Sequence, residues 1–368
     1  MNVAHQIPVP RNPGPPISAP KAAKDWNALV PPKETPYAHE PRYHEVLDHA
    51  GEGMPKALLD PLWGAVKLIN KVVFRSPPPN PPVAPTPGSW KFSAIGDYGS
   101  GHSPLDEIAR NVIAGRPDIL VTTGDNVYYN GTEDEFRKKW DPPQWFGNVR
   151  EQLVVRPGLG NHDLRREPDG VPYFKRFPEL DNARFYSYDH KGVHFVSVNT
   201  NESLEPGSPQ RRWLEQDLAK STADWKVLYF HHPLYNGNPG NPGPNKDYLG
   251  PLMAKYGVDL VLSGHEHNYQ RSKPINENGT IEVITGGGGQ SLHPFRRGMP
   301  EYSAYRDVDF GHVEVEVTDD RLVGRYVVRD GSVRDTFVIE NTTPGTPASA
   351  AASASTDKRA DTLAAPLA

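Results

Sequence analysis

The chain has 368 residues, a formal net charge of −5 and no cysteine. The negative charge argues against nucleic acid as the main partner, and without cysteine any metal must be held by oxygen and nitrogen ligands. No run of about 18 apolar residues predicts a transmembrane segment. The first thirty residues lack the apolar stretch of a secretory signal, so a cytoplasmic location is the default expectation, with export left open.

Residues 1–88 are predicted to form a proline-rich N-terminal arm, because 19 of the 40 prolines lie before Ser89. Within the arm, apolar and basic residues recur at helical spacing across residues 56–75, which predicts one amphipathic helix. We favour a helix that packs against the following domain, and peripheral contact with a membrane is the alternative. Residues 89–341 form the predicted main domain, and residues 342–368 a disordered tail rich in Ala, Ser and Pro.

The main domain begins with alternating strands and helices and ends in an antiparallel meander. Strands are expected at Trp90–Gly96, from Asp118 up to Gly124, and at Val154–Pro157, Tyr186–Tyr188, Val193–Val198, Lys226–Phe230, Val258–Leu262, Ile281–Ile284, Gly311–Val317, Leu322–Val328 and Val333–Ile339. Helices are expected at Pro104–Ala114, Glu133–Trp140 and Ser208–Ala219. This order predicts a mixed α/β domain of two stacked β-sheets with helices outside.

Five of these strands end in side chains that can bind a metal. In chain order they are Asp97, Asp125 with Tyr128, Asn161 with His162, His231, and His265 with His267. Because ligands bind beyond the carboxyl ends of the strands in open α/β sheets, we expect these groups to converge. Carboxylate, amide and imidazole donors together favour iron, manganese or zinc over calcium or magnesium. One Asp can bridge two ions, an arrangement suited to in-line displacement at phosphorus.

These motifs resemble those of a known family. The chain is similar to the calcineurin-like metallophosphoesterases, and most similar to the purple acid phosphatases of the tartrate-resistant type. Its matching motifs are Gly96-Asp97-Tyr98-Gly99, Gly124-Asp125-Asn126-Val127-Tyr128, Gly160-Asn161-His162-Asp163, the histidine after Val227–Phe230, and Gly264-His265-Glu266-His267. The resemblance spans about Trp90 to Val328. It implies a four-layer α/β/β/α sandwich and a binuclear-metal hydrolase that cleaves phosphate monoesters by attack of a metal-activated hydroxide.

The resemblance also implies two sets of metal ligands. A ferric ion would be held by Asp97, Tyr128 and His267, with Asp125 as the bridge. A second ion, Fe(II), Zn(II) or Mn(II), would be held by Asn161, His231 and His265. Gly99 stands where many non-purple relatives carry a ligating histidine. Tyr128 fills that gap, as it does in the purple subgroup, where a tyrosinate on Fe(III) gives the colour.

The remaining histidines divide between catalysis and structure. His162 resembles the histidine that hydrogen-bonds the phosphate of a small phosphorylated substrate. The family's proton-donating histidine is missing, because the loop Asn236–Pro244 contains none. His102 and His293 are the candidate substitutes. His232 is predicted to be structural.

Two alternatives to a phosphomonoesterase are kept open. One is a phosphodiesterase that acts on nucleotides or phospholipid head groups. The other is a weakly catalytic phosphate-binding metalloprotein, suggested by the missing histidine.

Overall fold

The computed structural model describes residues 14–19, 61–68, 80–81, 83–101, 103–238 and 245–341. Its strands are β1 Trp90–Ile95, β2 Ile119–Thr122, β3 Val154–Pro157, β4 Tyr186–His190, β5 Val193–Ser197, β6 Trp225–Tyr229, β7 Leu260–Ser263, β8 Tyr269–Ser272, β9 Ile281–Thr285, β10 Ser303–Asp307, β11 Gly311–Val317, β12 Arg321–Val328 and β13 Val333–Glu340. Its helices are α1 Ser103–Gly115, α2 Glu133–Glu135, α3 Asn148–Gln152, α4 Asn161–Leu164, α5 Val171–Arg176, α6 Pro209–Lys220 and α7 Asn245–Tyr256.

The strands form two mixed sheets. One has six strands in the order β13-β12-β11-β1-β2-β3, and the other has seven in the order β10-β8-β9-β7-β6-β5-β4. Strands β1, β2 and β3 are parallel neighbours, as are β5, β6, β7 and β9. The loops that follow the parallel strands of each sheet therefore leave from one edge, which is where the predicted ligands lie.

The two sheets stack face to face around the main hydrophobic core. Phe92 of β1 and Phe195 of β5 meet edge to face, with ring centroids 5.0 Å apart. A second core lies on the other face of the seven-stranded sheet, where Leu228 of β6 packs with Leu214 of α6 and Leu249 of α7. Helix α1 packs against β11 of the six-stranded sheet. The predicted fold class, two stacked mixed sheets flanked by helices, is confirmed.

Short described pieces of the predicted N-terminal arm lie against this domain. Residues 61–68 are helical, and the Trp63 ring packs edge to face on Phe310. Leu62 and Leu68 are exposed on the same segment. Near the start of the chain, Ser18 forms an antiparallel bridge with Ser187 on the edge strand β4. Residues 61–68 thus contact the domain, and both the packed helix at 56–75 and the peripheral membrane contact stay predictions.

The rest of the predicted helix at residues 56–75 and the predicted tail at 342–368 lie outside the described residues. Within the described ranges, no helix is long and apolar enough to cross a bilayer.

The predicted helix at Glu133–Trp140 is confirmed, although it is not α-helical throughout. Helix α2 covers only Glu133–Glu135, capped by Thr132, and the chain then widens into a π turn at Phe136–Trp140. Strands β4 and β5 pair as an antiparallel hairpin, with Lys191 and Gly192 both at positive φ. Two left-handed central residues are what a tight type I′ turn requires.

His194 on β5 lies between two carboxylates, away from the predicted ligands. Its Nδ1 is 2.7 Å from Asp189 Oδ1 and its Nε2 is 2.9 Å from Asp217 Oδ2. Burial opposes the charged ring, but the two carboxylates outweigh burial and raise the pKa of His194. This stabilisation is therefore complete below the unfolded pKa of about 6.5 and is lost as the pH rises through the raised pKa.

His194→Gln is expected to lower the free energy of unfolding by about 1–3 kcal/mol at about pH 6, because it removes charge-assisted hydrogen bonds. The loss should shrink above the raised pKa, where the wild-type ring is neutral. Denaturant unfolding of both proteins, at about pH 6 and at a pH above the raised pKa of His194, measures this loss. His190→Gln, on the same hairpin but partly exposed beside Asp118, is the control with the smaller expected loss. A loss for His194→Gln that is equal at both pH values would contradict the charged pairing.

Candidate metal centre

Three of the predicted ligands follow their strands in left-handed backbone. Asp97 follows β1, Asp125 follows β2 and His265 follows β7, with φ of 57°, 53° and 69°. This conformation is uncommon outside glycine and costs on the order of 1–3 kcal/mol, so it persists where the surroundings impose it, often at functional sites. Gly286 shows how tight these surroundings are. A Cβ there would lie 2.1 Å from the Glu266 carbonyl oxygen and 2.9 Å from Asp97 Oδ2.

The first cluster consists of Asp97, Tyr128 and His267. The Tyr128 hydroxyl is 3.0 Å from Asp97 Oδ1 and 3.0 Å from His267 Nε2, and the last two atoms are 3.3 Å apart. All three side chains are buried. His267 Nδ1 donates to the Ser291 carbonyl at 2.7 Å, which leaves the Nε2 lone pair facing the cluster. Two oxygens and one nitrogen therefore converge on one point.

The second cluster is centred on His231 Nε2. This atom is 2.8 Å from Asn161 Oδ1, 3.3 Å from Asp125 Oδ2 and 3.3 Å from His265 Nδ1. His231 Nδ1 donates to the Thr123 carbonyl at 3.0 Å, so Nε2 is again the ring nitrogen that can bind an ion. Every predicted ligand of the second ion therefore lies within reach of a single point.

The two clusters adjoin each other. Ligand atoms of Asp97, Asp125 and His231 all lie within 4.8 Å of one another. The backbone also joins the clusters, because the His265 N–H donates to Asp97 Oδ2 at 2.9 Å. A bridging ligand requires a carboxylate within reach of both ions, and Asp125 is the predicted bridge.

Asp125 and His231 attract each other in the second cluster. Burial alone would make both Asp125 and His231 neutral, but their attraction outweighs it. Beside the imidazoles of His231 and His162, the pKa of Asp125 falls, and beside the Asp125 carboxylate the pKa of His231 rises to about 9. The buried carboxylate thus attracts a positive charge. An ion at this position would displace a proton from His231, as metal ligands generally require.

Asp163 supports the centre and was missed in the sequence analysis. Its carboxylate accepts the Asn126 N–H at 2.9 Å, the Asn126 side-chain amide at 2.8 Å and the Gly160 N–H at 2.9 Å. Burial and the nearby Asp125 carboxylate raise the pKa of Asp163 to about 7. This residue ties the loop after β2 to the loop after β3. The only sequence signal was its place directly after the Asn161-His162 pair.

The candidate catalytic histidines occupy different surroundings. His162 Nδ1 donates to the Tyr129 carbonyl at 2.7 Å, and its backbone N–H donates to Asp125 Oδ1 at 2.9 Å. His293 stacks on His267 with ring centroids 3.9 Å apart, and the His267 N–H donates to its Nδ1 at 3.3 Å. His102 lies outside the described residues.

His232, predicted to be structural, lies beside two predicted ligands of the second ion. Its Nδ1 is 2.8 Å from the Thr200 hydroxyl. Ring nitrogens of His231, His232 and His265 lie within 4.8 Å of one another. Burial, followed by the two neighbouring imidazoles, holds the pKa of His232 well below its usual range. Its structural role stays a prediction.

The donor set fits two transition-metal ions. It contains carboxylate, phenol, amide and imidazole groups only, which are the donors that iron, zinc and manganese accept. The two buried clusters adjoin. Two adjoining ion sites at the strand ends of stacked sheets are the arrangement that two-metal phosphoesterases use.

Comparison with known proteins narrows the class to a family. Residues 91–269 match the calcineurin-like phosphoesterase model, and residues 279–336 match the model of an iron/zinc purple acid phosphatase-like protein C. Probable purple acid phosphatase 20 of Arabidopsis thaliana is 30% identical over 318 residues, which cover 75% of this chain and 70% of that protein. The chain belongs to the purple acid phosphatase family.

Other relatives are more distant or considerably longer. Purple acid phosphatase 1 of Ipomoea batatas is 26% identical over 65% of this chain and 58% of its own length. The structure of purple acid phosphatase PPD1 from yellow lupin (Lupinus luteus) superposes with a TM-score of 0.62 at 24% identity, over 71% of this chain and 55% of that one. The chain therefore spans little more than half of these two relatives, and the lupin structure supports the fold.

Proposed function

We propose that this chain hydrolyses phosphate monoesters at a centre of two metal ions. The ferric ion would be held by Asp97, Tyr128 and His267, and the second ion, Fe(II), Zn(II) or Mn(II), by Asn161, His231 and His265, with Asp125 between them. The observation that carries the proposal is the pair of buried clusters whose ligand atoms adjoin at Asp125. The family matches support the same reaction class.

When bound, the two ions would activate a water molecule and neutralise the charge that grows on the phosphoryl oxygens. The residues of the chain itself would position the ions and the substrate. Asp97 and Asp125 accept backbone N–H groups through one oxygen and face the clusters with the other. His162 is anchored through Nδ1, so Nε2 is the ring nitrogen that would donate to a phosphoryl oxygen when the ring is protonated.

Tyr128→Phe tests the purple assignment. Wild-type protein loaded with iron and oxidised should be coloured, because the Tyr128 hydroxyl lies in the first cluster. The variant should lose the visible band while keeping its fold, since only one oxygen is removed. Tyr129→Phe, at the neighbouring phenol, should keep the band. Visible absorption of the three iron-loaded proteins measures this. A colourless wild type, or a band that survives in Tyr128→Phe, would contradict the assignment.

A weakly catalytic phosphate-binding protein is the second candidate function. It is favoured by the histidine-free loop Asn236–Pro244 and by a relative named probable inactive purple acid phosphatase 24 of Arabidopsis thaliana. That relative is 31% identical over 60% of this chain and 43% of its own length. Tight binding of inorganic phosphate by metal-loaded protein that turns over neither aryl monoesters nor diesters would decide for this candidate.

A further inference from the structure

We propose that Glu266 is a positioning residue that holds the loop segment Asn236–Asn238 against the metal centre and so governs how efficiently a bound phosphate ester reacts. The inference rests on the proposed function and deepens it. Glu266 lies between the predicted ligands His265 and His267 in the sequence and belongs to neither predicted ligand set.

Glu266 occupies the middle position of the loop that carries His265 and His267. The side chain is buried. The backbone at this position is fixed independently of the side chain, because the Glu266 carbonyl accepts the Asn268 N–H at 2.6 Å and lies against Gly286. The Glu266 side chain also faces His293, because its Oε2 lies 3.7 Å from His293 Nδ1. Since His293 stacks on His267, the metal content of each Glu266 variant must be measured beside its kinetics.

Both carboxylate oxygens of Glu266 are used by the loop that follows His231. Oε1 accepts the Asn236 side-chain amide at 2.6 Å, and Oε2 accepts the Asn238 side-chain amide at 2.8 Å. Both Glu266 oxygens act as acceptors here, which fixes which way round each amide lies. The two bonds are buried, so losing either one would leave a buried polar group without that partner.

Two further hydrogen bonds hold the segment Asn236–Asn238, one within it and one from Gln270. Asn236 Oδ1 accepts the Asn238 N–H at 2.9 Å, and Gln270 Oε1 accepts the Gly237 N–H at 2.6 Å. The segment follows His231, a predicted ligand of the second ion, by five residues. Its side chains are hydrogen-bonded to Glu266, in the loop that carries one predicted ligand of each ion. The segment is thereby held beside the loop that carries His265 and His267, and reaction rates are sensitive to small displacements of the groups around a reacting centre.

The Glu266–Asn238 pair permits an exchange test. In Glu266→Gln the introduced amide N–H₂ faces the Asn238 side-chain N–H₂, so two donors oppose each other. In Asn238→Asp two carboxylates oppose each other. In the double variant the amide introduced at position 266 can donate to the carboxylate introduced at position 238, and the remaining side-chain oxygen at position 266 still accepts from Asn236. The pairing is thereby restored with the charge on the other partner.

The experiment uses the full chain loaded with iron and zinc. For each variant, metal content, melting temperature, and kcat and KM for 4-nitrophenyl phosphate are measured. Each single variant is expected to retain two ions per chain and to lose about tenfold or more in kcat/KM, and the double variant to recover most of that loss. The control is Glu282→Gln, a buried carboxylate that holds the backbone of Leu234 and Tyr235 at 2.8 and 2.9 Å. Combining it with Asn238→Asp should bring no recovery.

Three results would overturn the proposal. They are unchanged kinetics in Glu266→Gln, loss of metal from that variant, and additive losses in the double variant. A lower melting temperature with kinetics unchanged would show a structural role only. A wild type that binds two ions and hydrolyses nothing would contradict the proposed function itself. In that case, a recovered melting temperature in the double variant would still show that positions 266 and 238 pair, but the positioning role would be contradicted.

Discussion

Asp125→Asn is expected to be the most damaging single ligand change, because Asp125 is the predicted bridge between the two ions. Its Oδ2 lies 3.3 Å from His231 Nε2, and its carboxylate raises the pKa of that imidazole. An amide in its place keeps the shape and removes the charge that would neutralise the ions. We expect kcat/KM to fall by more than about 100-fold, since even residues that only support metal ligands typically cost about 10–100-fold. Metal content should fall below two ions per chain.

His231→Ala and His232→Ala form a matched pair for the same measurement. The two histidines are adjacent and equally buried, and His231 contacts Asn161 and Asp125. His231→Ala should lose the second ion. His232→Ala should keep both ions and most of the activity. If His232→Ala lost metal and His231→Ala did not, the choice of ligand in this pair would be wrong.

A strong dependence on the leaving group is the second large expected effect. Protonation of a leaving alkoxide by a positioned acid is typically worth about 10²–10⁴-fold. The loop Asn236–Pro244 contains no histidine, and its described amides, Asn236 and Asn238, are engaged by Glu266. If nothing replaces the acid, aryl phosphates should react well and alkyl phosphates poorly. Rates across a series of esters should then fall steeply as the pKa of the leaving group rises.

The same series on His102→Ala and His293→Ala tests the two candidate substitutes. A shallow slope in the wild type that steepens in one variant would identify that histidine as the donor. The structure places His293 against His267, so His293→Ala must also be checked for metal content. A shallow slope in all three proteins would mean that a different residue supplies the proton.

The strands and the polar side chains at their ends could be predicted because each carries a strong local signal. Short β-branched runs that stop at Gly-Asp or Gly-His predict both a buried strand and a polar group at its carboxyl end. Parallel neighbours then bring those ends together, as the clusters around Tyr128 and His231 show. The residue types at these positions also limit the possible metals.

Other elements could not be predicted because their local pattern contradicts their structure. Strand β8 is buried but carries Gln270 and Arg271, and Arg271 is tolerated inside only because Asp335 of β13 pairs with it at 2.6 and 3.0 Å. Helix α7 contains Pro251, which normally argues against a helix. The roles of Asp163 and Glu266 depend on partners more than twenty residues away, which no local pattern reveals.

Titration of metal-free protein with metal, followed by turnover of 4-nitrophenyl phosphate, tests the central claim most directly. The account predicts little activity after one equivalent and full activity only when the second equivalent has bound, because both clusters must be filled for two ions to flank the phosphate. Full activity with one equivalent, or activity that survives complete removal of metal, would contradict a binuclear phosphoesterase centre.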